Sequence, residues 1–180
     1  MIEEAAVTPA DAAAMRAAAK AYLRIGHADE DGPTADAALA AFGLCEAFIG
    51  RLLIARSCTE IVEAADRWIR LGRSPVAAIT AVDQIGADGA ATALASHAYA
   101  IDIDADGDGW VRVDGSGAFK RARVHYRAGL APDWESAPAA LRQGVVRLAA
   151  HLFAQREAGP RNAPPAAVTA LWRPWRRVRL

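Results

Sequence analysis

Residues 98–113 read Ala98-Tyr99-Ala100-Ile101-Asp102-Ile103-Asp104-Ala105-Asp106-Gly107-Asp108-Gly109-Trp110-Val111-Arg112-Val113. Two runs rich in β-branched and aromatic residues flank a turn dense in Asp and Gly. Such runs suit a pleated surface, and Asp-Gly pairs supply tight turns between antiparallel strands. The pattern extends outward on both sides. Residues 58–62, 68–71, 76–85 and 122–126 also read as strands, separated by turn residues at Gly72, Asp88-Gly89 and Asp114-Gly115, with Gly115-Ser116-Gly117 continuing the last turn. Residues 52–130 are therefore expected to form a small antiparallel sheet.

Beyond that sheet, in both directions, the apolar period changes to that of helices. Thr8-Pro9-Ala10-Asp11 reads as a capped helix start, with the helix running to about Ile25, stopping at Gly26 and presenting Met15, Tyr22 and Leu23 inward. Residues 27–33 read as an acidic loop. A second helix is expected from Thr34 to Ile49, with Leu39, Phe42, Ile49 and Leu52 on one face and Gly50 as terminator. On the other side, Ser136 and Pro138 open a helix whose Leu141, Val145, Leu148 and Leu152 form one stripe, widened by Val146, Ala149 and Phe153. Gly159-Pro160 end it. Pro164-Pro165 start a last short helix, which Pro174 breaks. The fold class expected is α+β: a mainly helical core of two N-terminal and two C-terminal helices (residues 1–51 and 131–180) holding an inserted β-rich segment (residues 52–130).

Composition narrows the function. Apolar residues make up 53% of the 180-residue chain, and much of that is alanine, which favours helix but buries little area. The 21 Lys and Arg balance the 21 Asp and Glu, which argues against a general nucleic-acid or membrane binder. The charge is unevenly placed: after Leu141 come Arg142, Arg147, Arg156, Arg161, Arg173, Arg176, Arg177 and Arg179 against Glu157 alone. Met1-Ile2-Glu3-Glu4 does not read as the start of a signal peptide, and no apolar run reads as long enough to span a bilayer. Cys45 and Cys58 have neither metal-knuckle nor redox spacing and read as small buried thiols of a reduced, cytosolic protein.

Catalytic patterns are weak. Asp102, Asp104 and Asp106 ahead of Gly107 begin like a calcium loop, yet the position of the closing bidentate glutamate falls on Val113 or Gly115. An acidic hairpin turn is the preferred reading, with no metal or other cofactor. His27, His97, His125 and His151 lack ligand spacing, and no phosphate-binding glycine loop with its lysine is present. No catalytic residue is assigned, and the chain is not expected to be an enzyme. The strongest functional signal is the tail. Trp172, Arg173, Trp175, Arg176, Arg177 and Arg179 combine the two residue types most enriched at interface hot spots. A protein interface is preferred; a tail docked on its own core and a phosphate-binding tail remain open.

The C-terminal third also carries a resemblance. Tyr126-Arg127-Ala128-Gly129, Pro138, Leu141-Arg142, residues 148–153, Arg156-Glu157, Pro165, Val168, Leu171 and Pro174-Trp175-Arg176 follow an order and spacing similar to that of phage head–tail connectors, a family that includes the adaptors of gene transfer agents. Residues 35–125 agree more loosely, through Gly50-Arg51, Ser74-Pro75-Val76 and Asp88-Gly89. The resemblance implies a structural adaptor in the neck of a virion or gene transfer particle, assembled in the host cytoplasm. It would form a ring with copies of itself, usually twelve, between the portal protein and the next neck (stopper) protein. DNA would pass through the lumen without specific binding, and no membrane is involved. On this reading the tail residues meet the portal, and Leu141, Val145, Leu148, Leu152 and Phe153 pack subunit against subunit. The alternative is a small nucleic-acid-binding accessory protein that uses the basic tail.

Overall fold

The computed structural model describes residues 1–114, 119–158 and 165–177. The turn read at Gly115-Ser116-Gly117, the stop read at Gly159-Pro160, the helix start read at Pro164, and Arg179 lie outside the described residues. The chain divides into two compact units, Met1–Ala6 with Ala55–Leu130 and Val7–Ile54 with Ala131–Leu180.

The first unit is all β. Strands β1 (Ile2–Glu4), β2 (Arg56–Glu63), β3 (Ile69–Arg70), β4 (Val76–Ile85), β5 (Ala91–Ala93), β6 (Tyr99–Ile103), β7 (Gly109–Val113) and β8 (Arg121–Ala128) form two antiparallel sheets. Five strands lie in the order β1-β2-β8-β4-β5 and three in the order β3-β7-β6. Strand β8 is central because it pairs along its length with β2 on one side and β4 on the other. Its alternation explains the sheet's two faces: Ala122, Val124, Tyr126 and Ala128 are buried, while Arg121, Arg123, His125 and Arg127 point the other way. The tight hairpin at 104–108 joins β6 to β7, with Gly107 at φ 78° and its carbonyl accepting the Val76 N–H at 2.7 Å.

The second unit is helical: α1 (Pro9–Leu23), α2 (Asp31–Ile49), α3 (Ala139–Ala158) and α4 (Ala166–Trp172), the last continuing into a 3-10 turn at Arg173–Trp175. Helix α3 packs on the other three. The expected α1 start is present: the Thr8 hydroxyl accepts the Asp11 N–H at 3.1 Å, and Pro9 occupies the first turn. The Asp11 carboxylate is buried and does a second job. One oxygen accepts the Trp134 N–H at 2.8 Å and the other the Thr8 hydroxyl at 2.6 Å, fixing the segment ahead of α3 to the start of α1.

Several expectations are corrected. Tyr22 is 51% exposed and Leu39 40% exposed; Met15 and Ala19 of α1, and Ala38 and Ala41 of α2, fill those faces instead. Small residues bring helices close, so a large residue at the rim of the stripe is left outside. Helix α1 stops at Arg24, in the left-handed region at φ 60°, two residues before Gly26. Helix α2 starts at Asp31, a turn earlier than the Gly and Pro suggested, because Pro33 sits in the first turn, where its missing N–H costs nothing. Ser136 does not open α3, which begins at Ala139; the Ser136 N–H binds the Asp133 carboxylate at 2.8 Å. Strands β1 and β5 are additions to the expected set, and there are two sheets rather than one. No helix among the described residues is long and apolar enough to cross a membrane.

Candidate partner interface

The end of the chain is organised by Trp172. Gly144 lies in the interior of α3, where a glycine weakens a helix by about 1 kcal/mol relative to alanine. Its role is spatial: a Cβ at 144 would overlap the Trp172 indole. The ring fills that notch, 3% exposed, with its Nε1–H donating to the Leu141 carbonyl at 3.3 Å. Phe48 of α2 packs against it with ring centroids 5.8 Å apart at 50°. Burial of an aromatic of this size is worth several kcal/mol. Trp172 is therefore an anchor of the helical unit and not part of its exposed surface.

The residues after the anchor run over the C-terminal end of α2. The Arg176 guanidinium stands 5.6 Å from the Phe48 ring centre, and the Arg177 N–H caps the Ile49 carbonyl at 2.9 Å. Cations suit this position, because the unpaired carbonyls of a helix C-terminus carry partial negative charge. Arg173 and Arg176 are exposed, whereas Trp175 and Arg177 are half-buried. Of the tail residues singled out in the sequence, these four are at least partly exposed, Trp172 is buried, and Arg179 is not described. The interior glycine at 144 was the available signal that a large residue docks there.

The broad stripe of α3 divides in the same way. Leu141, Val145 and Leu148 are buried inside their own unit, together with Ala149 and Ala150. Leu152 and Phe153 are only half-buried, and the Arg156 guanidinium stacks 4.1 Å from the Phe153 ring centre. Arg156 is in turn held by Glu30 through two hydrogen bonds of 2.6 and 2.8 Å, and that guanidinium holds the Glu30 carboxyl below its ordinary range. Arg142 pairs with Glu135 at 2.9 Å. Two of the C-terminal arginines thus serve internal pairs.

The Asp-rich turn is a self-satisfied hairpin. Asp104 Oδ1 accepts the N–H groups of Asp106 and Asp108 at 3.0 and 2.8 Å, and Oδ2 accepts the Trp110 indole N–H at 2.9 Å. Asp108 is buried and paired with Arg70 at 3.1 Å. Asp102 lies on β6, across from Trp110. These oxygens face N–H donors and a guanidinium, and no group of three acids, histidines or cysteines that could hold a metal is found among the described residues. Both cysteines are buried thiols; burial pushes the Cys58 pKa up to about 11 and that of Cys45 higher still.

Over its full length the chain is similar to a chain from the neck of an empty gene transfer agent particle computed with C6 symmetry. Identity is 27%, coverage is 100% of this chain and 97% of that one, and the TM-score is 0.79. A chain from the virion of the native particle matches at 26% identity and TM-score 0.75, and one from the native neck computed with C12 symmetry at 25% and 0.74, each with the same coverages. No family model and no curated protein matches the sequence. The chain is a structural relative of gene transfer agent neck proteins, in agreement with the resemblance carried by its C-terminal third.

Proposed function

We propose that this relative of virion neck proteins is a head–tail adaptor: copies of the chain form a ring beneath the portal, bind the next neck protein on the far side, and let DNA pass through the lumen. The observation that carries the reading is the end-to-end structural match, helical and β units together, to chains of the assembled neck. Twelve copies are proposed because one matched neck was computed with C12 symmetry. The chain works by shape and charge, without turnover.

The portal contact is assigned to Arg173, Trp175, Arg176 and Arg177, with Arg179 beyond them. Guanidinium groups fork onto carboxylates, and a half-buried tryptophan beside them supplies apolar area, the usual composition of a hot spot. Trp172 supports this surface from below. Subunit packing is assigned to Leu152 and Phe153 rather than to the whole stripe, since Leu141, Val145 and Leu148 are already covered.

The test is co-purification with the portal protein, using the full chain and a variant carrying R173Q, R176Q, R177Q and R179Q. A truncation before α4 would remove Trp172 from its notch and confuse lost contact with lost folding. The wild-type chain is expected to bind and the variant to lose binding. Equal binding by both would remove the tail from the interface. If the wild type ignores the portal while its tail binds DNA in a salt-sensitive way, the nucleic-acid accessory reading replaces this one.

A further inference from the structure

The outward face of the five-stranded sheet carries a pattern that the portal contact does not use. Every outward residue of its central strand is basic: Arg121, Arg123, His125 and Arg127. Alternate residues on a strand are about 6.7 Å apart, so the row is about 20 Å long. The acids beside it are partly engaged. Glu63 stands opposite Arg121 and pairs with Arg67 at 2.9 Å, and Asp83 stands opposite Arg123 and holds His125 Nε2 at 2.9 Å; Glu3 lies across β2, opposite Thr59. His125 is fixed from the other side by Thr59 Oγ1, 3.3 Å from its Nδ1. Arg127 reaches the Ala55 carbonyl at 3.4 Å and is otherwise turned outward.

We propose that this row binds the phosphate backbone of a nucleic acid, independently of sequence. The choice of a polyanion over an acidic protein rests on what surrounds the arginines. Ser57, Thr59 and Thr80 lie among them, and hydroxyls with guanidiniums are the groups that meet phosphate oxygens. Protein interfaces instead centre on a desolvated apolar core. Apart from Met1 at the β1 edge, no strongly exposed large apolar side chain lies on this face among the described residues. Basic side chains at the regular two-residue spacing of a strand also suit a regular line of charges better than an irregular protein surface. The identification of the polyanion as DNA in transit rests on the adaptor reading; the basic row itself does not.

Fluorescence anisotropy of a labelled DNA duplex of roughly 20 base pairs tests the inference. The tail variant used above serves as background, so that the tail arginines do not contribute. With three arginine contacts, binding should weaken about 40-fold between about 50 and 200 mM salt. Adding R121Q, R123Q and R127Q should abolish most of this binding and its salt slope, whereas the R121K, R123K and R127K version should keep both; circular dichroism confirms folding. Equal DNA binding with and without the three arginines overturns the inference, as does no binding at low salt. If R121Q, R123Q and R127Q remove association with another neck protein and leave DNA binding intact, the face belongs to an acidic protein and the inference is wrong. Portal co-purification on the same proteins scores the adaptor reading separately.

Discussion

Replacing Gly144 with alanine should destabilise the helical unit, against the ordinary rule for helix interiors. On propensity alone Gly→Ala stabilises a helix by about 1 kcal/mol. Here the added methyl would occupy the space of the Trp172 ring. Overpacking of this kind costs about 1–3 kcal/mol, and the displaced indole forfeits its bond to the Leu141 carbonyl, about 1 kcal/mol, and its packing on Phe48, about 0.5–1.5 kcal/mol. The net effect expected is a loss of about 1.5–4.5 kcal/mol, which lowers the melting temperature by roughly 3–18 °C in a chain of this size. A double-mutant cycle makes the argument decisive. With Trp172→Leu in place the notch is no longer filled by the indole, and Gly144→Ala should become neutral or stabilising by up to about 1 kcal/mol. Thermal unfolding followed by circular dichroism in the helical band reads all four proteins. Equal effects of Gly144→Ala in both backgrounds would refute the docking of Trp172 on α3.

Three further outcomes follow from local chemistry. At pH 8 only about one Cys58 thiol in a thousand is ionised when its pKa stands at about 11, so native protein should resist thiol reagents that label both cysteines rapidly in denaturant; fast native labelling would contradict the burial. Glu30 has its pKa lowered from 4.5 by Arg156, so its contribution is present above that value and disappears as pH falls through the lower folded value. The wild-type melting temperature should therefore fall more steeply below pH 4.5 than that of Glu30→Gln, and parallel curves would argue against the pair. Calcium titrated calorimetrically should give no heat of specific binding, because Asp104 already accepts three N–H bonds; a stoichiometric exotherm would mean that the hairpin opens to take the ion.

The legibility of the fold varied with the physics of each segment. The capped start of α1 and the strand β4 were readable because a hydroxyl, a proline and an acid, or a run of ten suitable residues, act locally. Strands β1 and β5 are three residues each, and Ala91-Thr92-Ala93 owes its extended form to pairing with β4 rather than to its own preference. Period alone places Tyr22 and Leu39 inward, but period cannot tell how closely alanine faces approach. The tail is the instructive case. A tryptophan at an interface and a tryptophan anchoring its own chain have the same composition, and Trp172 proved to be the second. The notch at Gly144 distinguishes them, and it links two residues 28 apart that no local pattern connects.

The central claim is an assembly, and imaging tests it most directly. Cryo-electron microscopy of the chain mixed with its portal protein is predicted to show a closed ring of this chain stacked coaxially beneath the portal, with Arg173 and Arg176 at the contact. Portal particles without added density, beside free monomers of the chain, would contradict the account.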